Sequence, residues 1–219
     1  MLKHDQSPKE ISMDGLKGLL RHVRAYVLLQ RIVGADRLRY RCIEEIQPGE
    51  TVLDIGCGPA YYFPRLPQPL NYHGFDTDAP YIDWAKERFG GENASFHCGN
   101  FDEAAARSLP PIDVVLLLGL LHHLSDEQCT HLLNLAASVL GPGGRVISLD
   151  TCFEPTQGRI SRWMSANDRG EYVREPPAFE KLALQSFGQV EGKVIDDATH
   201  VPASYWMMRM TEANRLQAE

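Results

Sequence analysis

Residues 52–60 read Val52-Leu53-Asp54-Ile55-Gly56-Cys57-Gly58-Pro59-Ala60. A short apolar run with the character of a strand passes into a turn holding two glycines. Glycine has no Cβ and admits positive φ, so such a turn lets the backbone approach a ligand closely. An acid, Asp76, follows 22 residues after Asp54, at the end of the next strand-like stretch, Tyr72-His73-Gly74-Phe75. In doubly wound sheets ligands bind at the carboxyl ends of strands, and an acid placed there accepts hydrogen bonds from both ribose hydroxyls of a nucleoside. The dinucleotide fingerprint would require glycine at position 61, which is Tyr61. A nucleoside crevice is expected, but not one for a nicotinamide dinucleotide.

Outward from this stretch, short apolar runs alternate with helical periodicity. Strands are expected at 51–55, 72–75, 95–97, 114–118 and 146–149, and helices at 37–46, 81–89 and 127–140. Val114-Val115-Leu116-Leu117-Leu118 is apolar on both faces, which marks a parallel sheet covered on both sides. Beyond Asp150, helices are expected at 158–166 and 177–187. Strands at 190–195 and 204–210 close the chain as an antiparallel pair at one sheet edge. Upstream, Leu16, Leu19, Leu20, Val23 and Val27 follow the spacing of an amphipathic helix over residues 15–34.

The 219 residues are enough to bury about 70% of the unfolded chain's surface without disulfides or metal. Net charge is −7, which disfavours a nucleic-acid backbone as the main partner. Residues 1–41 hold nine Lys/Arg against four Asp/Glu, so the basic charge gathers at the start. Five cysteines with no C-x-x-C pair suit a reducing compartment. The opening residues are polar, and the longest apolar run, 114–121, is far short of the roughly 20 residues that span a bilayer. A cytoplasmic protein with no membrane span is expected, as a monomer or homodimer.

Five stretches in order resemble the class I S-adenosylmethionine-dependent methyltransferases, small-molecule type. Asp54 to Ala60 is similar to that family's first motif, and Gly74-Phe75-Asp76-Thr77-Asp78 to its ribose turn. Phe96-His97-Cys98-Gly99-Asn100-Phe101 resembles the turn flanking adenine. Asp113 to Leu124 resembles the fourth-strand motif, and Leu140-Gly141-Pro142-Gly143-Gly144 the turn before strand five. The resemblance implies one domain over 1–219: a helical cap or lid at 1–46, a cofactor half at 51–150, and a substrate-side insertion with closing strands at 151–219. The fold implied is a doubly wound, mostly parallel seven-stranded sheet, with an antiparallel last strand, helices on both faces and the cap. The cofactor implied is S-adenosyl-L-methionine, with S-adenosyl-L-homocysteine as product. Its contacts are expected from Asp54, Gly56, Cys57, Gly58, Asp76, Thr77, Asn100, Phe101 and Leu118. Two positions depart from the pattern: Ala60 replaces the third glycine, and Asn100 replaces an Asp that receives the adenine amino group.

His122 and His123 follow strand four, where the resemblance places methyl transfer, and one of them is expected to be a general base. A metal is not expected, because adjacent residues on a turn point apart. The lid residues Arg24, Trp163, Arg169, Tyr172 and His200 are expected to hold a polar or anionic small molecule. Leu118-Gly119-Leu120-Leu121 stands where enzymes methylating base and amide nitrogens often carry N/D-P-P-Y/F, so an oxygen acceptor is preferred. Two other readings stay open: a methyltransferase-like binding protein without catalysis, and an enzyme acting on tRNA or protein.

Overall fold

Successive side chains of a strand face opposite sides of its sheet, and β4 (Ile112–Leu118) is apolar on both. Val114, Leu116 and Leu118 enter one core, and Val115 and Leu117 the other; all five are buried. Truncating Leu116 or Leu117 to Ala removes contacts worth about 2–5 kcal/mol. The computed structural model describes residues 23, 27, 28, 30, 32, 34–168 and 170–214. Most of the helix expected over 15–34, and both Arg24 and Arg169, lie outside the described residues.

The described elements are α1 (Ala35–Ile43), β1 (Thr51–Ile55), β2 (Asn71–Asp76), α2 (Ala79–Phe89), β3 (Ala94–Cys98) and α3 (Glu103–Ser108), then β4. They continue with α4 (Asp126–Val139), β5 (Leu140–Thr151), α5 (Arg159–Ala166), α6 (Pro176–Ala183), β6 (Phe187–Ile195) and β7 (Tyr205–Ala213). The seven strands form one sheet in the order β3-β2-β1-β4-β5-β7-β6. The first five run parallel, β7 runs antiparallel to β5, and β6 antiparallel to β7. This is the mostly parallel seven-stranded sheet with an antiparallel last strand that the resemblance implies. Leu38, Cys42 and Ile43 of α1 and Ile82 and Ala85 of α2 cover one face. Leu133 and Ala136 of α4 and Phe179 and Leu182 of α6 cover the other.

Three local expectations change. The helix expected at 177–187 ends at Ala183, because Phe187 is already fully buried in the edge strand β6. Helix α3 was not expected; it is a single short run started by the Asp102 carboxylate, which accepts from the Ala105 amide at 2.8 Å. The glycine-rich turn at 141–144 lies within the start of β5, where its pairing with β4 shifts register. Among the described residues no helix is long and apolar enough to cross a membrane.

Candidate active site

Strand order reverses direction from β1, with β2 on one side and β4 on the other, which is where a doubly wound sheet opens a crevice at its carboxyl end. The first motif lies there. Gly56 and Gly58 sit at φ 78° and 55°, in the left-handed region that favours glycine. Ala60 also sits there, at φ 46° and fully buried, so the missing third glycine leaves about 1 kcal/mol of backbone strain. The turn holds Asp76 firmly: its carboxylate accepts from the Gly58 amide at 2.7 Å and from the Asp78 amide at 2.9 Å. Each oxygen keeps lone pairs for further donors such as a diol.

A cleft of about 580 Å³ opens above this turn. Of the residues expected to hold cofactor, Gly56, Cys57, Gly58, Asp76, Thr77, Asn100, Phe101 and Leu118 line it. Phe101 is packed edge-to-face on Phe75 with ring centres 5.2 Å apart, which gives the cleft an apolar wall. Asp54 stands apart. It is fully buried at the end of β1, and its Oδ2 accepts from the hydroxyls of Tyr62 and Tyr72. Its Oδ1 has no partner. Burial pushes its pKa up to about 6, against the lowering effect of the two tyrosine hydrogen bonds.

Arg39 of α1 and Tyr61 also line the cleft, and the sequence reading missed both. The guanidinium donates to the Tyr61 hydroxyl at 2.7 Å and to Gln30 Oε1 at 2.9 Å. Nothing in the periodicity of a basic helix distinguishes Arg39 from Arg37 or Arg41; only the packing of α1 beside the first motif does. The cleft thus combines a backbone-held carboxylate, a guanidinium, bare glycine backbone and an apolar wall. That set fits a nucleoside carrying an amino-acid chain, and the volume lies within the usual range for such sites.

The two histidines separate. His123 lines the cleft. His122 is buried behind it, with its backbone amide and Nδ1 both directed at Asp150 Oδ1, at 3.1 and 2.8 Å. Its Nε2 lies 3.1 Å from Asp168 Oδ1. Burial pulls the His122 pKa down, but the hydrogen bonds and charges of Asp150 and Asp168 outweigh it and raise the value to about 9. The expectation that the rings point apart fails: their centres are 4.2 Å apart at 38°. The turn bearing them is pinned by Arg174, which donates to the carbonyls of Leu121 and Leu124 and to Asp126 Oδ1 at 2.7–3.1 Å.

The residues expected to hold substrate are scattered. Trp163 is 65% exposed on α5, Tyr172 spends its amide on the His122 carbonyl, and His200 Nδ1 lies 3.0 Å from the Ile32 carbonyl. None of the three lines the cleft. Spacing alone did not show that the segment after β5 packs behind the histidines.

Residues 52–144 match the model of a methyltransferase domain family. An uncharacterised methyltransferase of Anoxybacillus flavithermus is 23% identical over 145 residues, covering 61% of this chain and 67% of the relative. Human N-acetylserotonin methyltransferase, solved in complex with S-adenosylmethionine, superposes with a TM-score of 0.60 at 18% identity, covering 87% of this chain and 54% of that one. An O-methyltransferase family protein from Burkholderia thailandensis gives 0.62 at 18% identity, covering 88% and 59%. The chain thus spans somewhat over half the length of these two solved structures.

Proposed function

We propose that this chain, whose residues 52–144 match a methyltransferase domain model, transfers the methyl group of S-adenosylmethionine to a hydroxyl of a small molecule. The observation that carries this reading is one cleft joining the backbone-held carboxylate of Asp76 to the imidazole of His123. The cofactor supplies a methyl carbon already activated by its sulfonium. The chain's own work is to bind, orient, exclude water and take a proton.

In this reading Asp76 accepts from the ribose hydroxyls, Arg39 and the bare backbone of the 56–58 turn, whose amides are bonded to Phe75 and Asp76, lie against the amino-acid end, and Phe101 packs on the base beside Asn100. Asn100 presents its amide oxygen to the adenine amino group, without the charge-assisted part of the bond that an Asp would give. His123 accepts the acceptor's hydroxyl proton. His122, engaged at both ring nitrogens by Asp150 and Asp168, cannot accept that proton in this arrangement and positions the turn instead. Two features favour oxygen: an imidazole beside the reaction site, and Leu118-Gly119-Leu120-Leu121 in place of the polar motif of base- and amide-methylating enzymes.

Incubating the protein with methyl-labelled S-adenosylmethionine and a panel of hydroxylated metabolites tests the proposal. Label should appear on a hydroxyl-bearing compound, and His123→Ala should lower the rate by roughly 10²–10⁴ with cofactor affinity unchanged. Transfer to amines alone would overturn the oxygen assignment.

A further inference from the structure

Nε2 of His122 lies 3.1 Å from Asp168 Oδ1, while Nδ1 faces the buried Asp150 at 2.8 Å. With Nδ1–H donated to Asp150, Nε2 of an unprotonated His122 turns a lone pair on Asp168 Oδ1, which accepts from the Gly170 amide at 2.9 Å. A positive centre belongs between them, either a proton or a metal ion. His123 decides what the place is built for. A shared proton needs two partners, yet a ligand atom of His123 lies within 4.8 Å of the donor atoms of both His122 and Asp168. Two atoms bound to one ion at about 2.0–2.1 Å stand about 3.0–3.4 Å apart; the His122–Asp168 pair meets this at 3.1 Å, and the His123 atom closes in on the ion from within 4.8 Å of both. Asp150 behind Nδ1 supplies the carboxylate–histidine–metal arrangement that fixes a ligand's tautomer and orientation.

We propose that His122, His123 and Asp168 form a site for one divalent transition-metal ion of the zinc, cobalt, manganese or iron(II) type, beside the cofactor cleft. Two imidazoles and one carboxylate suit such ions better than Mg²⁺ or Ca²⁺, which take oxygen ligands. Three protein ligands leave a coordination position open, and one of the three, His123, lines the cleft. A hydroxylated acceptor coordinates there through its oxygen, and the ion lowers that oxygen's pKa. The proton leaves to solvent, the oxygen's lone pair forms the bond to the methyl carbon, and the sulfur keeps the electron pair of the broken bond. The proton-accepting role of His123 then belongs to the ion-free protein. This role in turnover rests on the oxygen-methylation reading; the ion site itself does not.

The full chain, stripped with a chelator and dialysed, is titrated with Co²⁺ while visible absorption is followed. One equivalent should produce ligand-field bands that Zn²⁺ then displaces. Asp168→Asn, which removes a partly exposed carboxylate, should weaken Co²⁺ binding by about tenfold or more. Its S-adenosylmethionine affinity, read by calorimetry, should match the wild type, which shows that the variant is folded. No saturable band in the wild type, or an Asp168→Asn titration identical to it, overturns the site and leaves a protonated His122 held between two carboxylates. Failure of the wild type to bind S-adenosylmethionine would instead sink the methyl-transfer reading without altering the cobalt result.

Discussion

At the scale of single residues, the most telling group is one that does not touch the cleft. Asp54 is fully buried, and its carboxyl pKa is raised to about 6, chiefly by burial. A folded value above the unfolded one, about 3.9, means that the protonated form contributes stability. That contribution is present in full below about pH 4 and is lost as pH rises through about 6. Asp54→Asn keeps an acceptor for one tyrosine hydroxyl but never charges. Denaturant unfolding should therefore show the variant gaining on the wild type between pH 4 and 7, by on the order of 1–3 kcal/mol. A constant difference across that range would mean Asp54 ionises as freely folded as unfolded. His123 makes the complementary case in function: His123→Ala, assayed without divalent metal, should lose turnover while keeping cofactor affinity.

At the scale of elements, two close approaches make sharp expectations. A Cβ on Gly170 would lie 2.2 Å from His122 Cδ2 and 2.5 Å from the His122 carbonyl oxygen. Gly170→Ala must push residue 170 off the histidine turn, so turnover should fall together with stability. On the far edge of the sheet, a Cβ on Gly192 would fall 2.0 Å from the Trp206 ring, across the β6–β7 pair. Gly192→Ala should cost about 1–3 kcal/mol in denaturant unfolding. Cofactor affinity should hold, because β6 and β7 lie away from the β1–β4 crevice. A parallel loss of affinity would mean the sheet edge and the cleft are coupled. These two glycines also show what was legible. Strands β1, β4 and the second half of β5 could be read because each carries a run set by burial on both faces. The cofactor contacts could be read because a glycine turn and an acid at fixed spacing express local backbone needs. The surroundings of His122 could not: Asp150 and Asp168 reach it from 28 and 46 residues away, across the sheet end and the segment after β5. The same holds for Arg39, whose neighbours Arg37 and Arg41 carry the same charge on the same helix.

At the scale of the whole molecule, the architecture states the central claim by itself. The strand order β3-β2-β1-β4-β5-β7-β6 puts one crevice at the carboxyl ends of β1 and β4. The glycine turn, Asp76, Phe101 and His123 all converge there. Buried Arg145 anchors the opposite end by bonding Glu50 at 2.7 Å and the Glu45 carbonyl at 2.7 Å. The base of the sheet is thus held while its upper edge is left to ligands. Calorimetric titration of S-adenosylmethionine into the wild type and into Asp76→Ala, with NADH as the comparison ligand, tests that claim most directly. One site should bind S-adenosylmethionine in the wild type, weakened by one to two decades in the variant, about 1.5–3 kcal/mol for charge-assisted bonds, and NADH should bind poorly to both. Equal affinities in the two proteins, or NADH binding more tightly than S-adenosylmethionine, would contradict it.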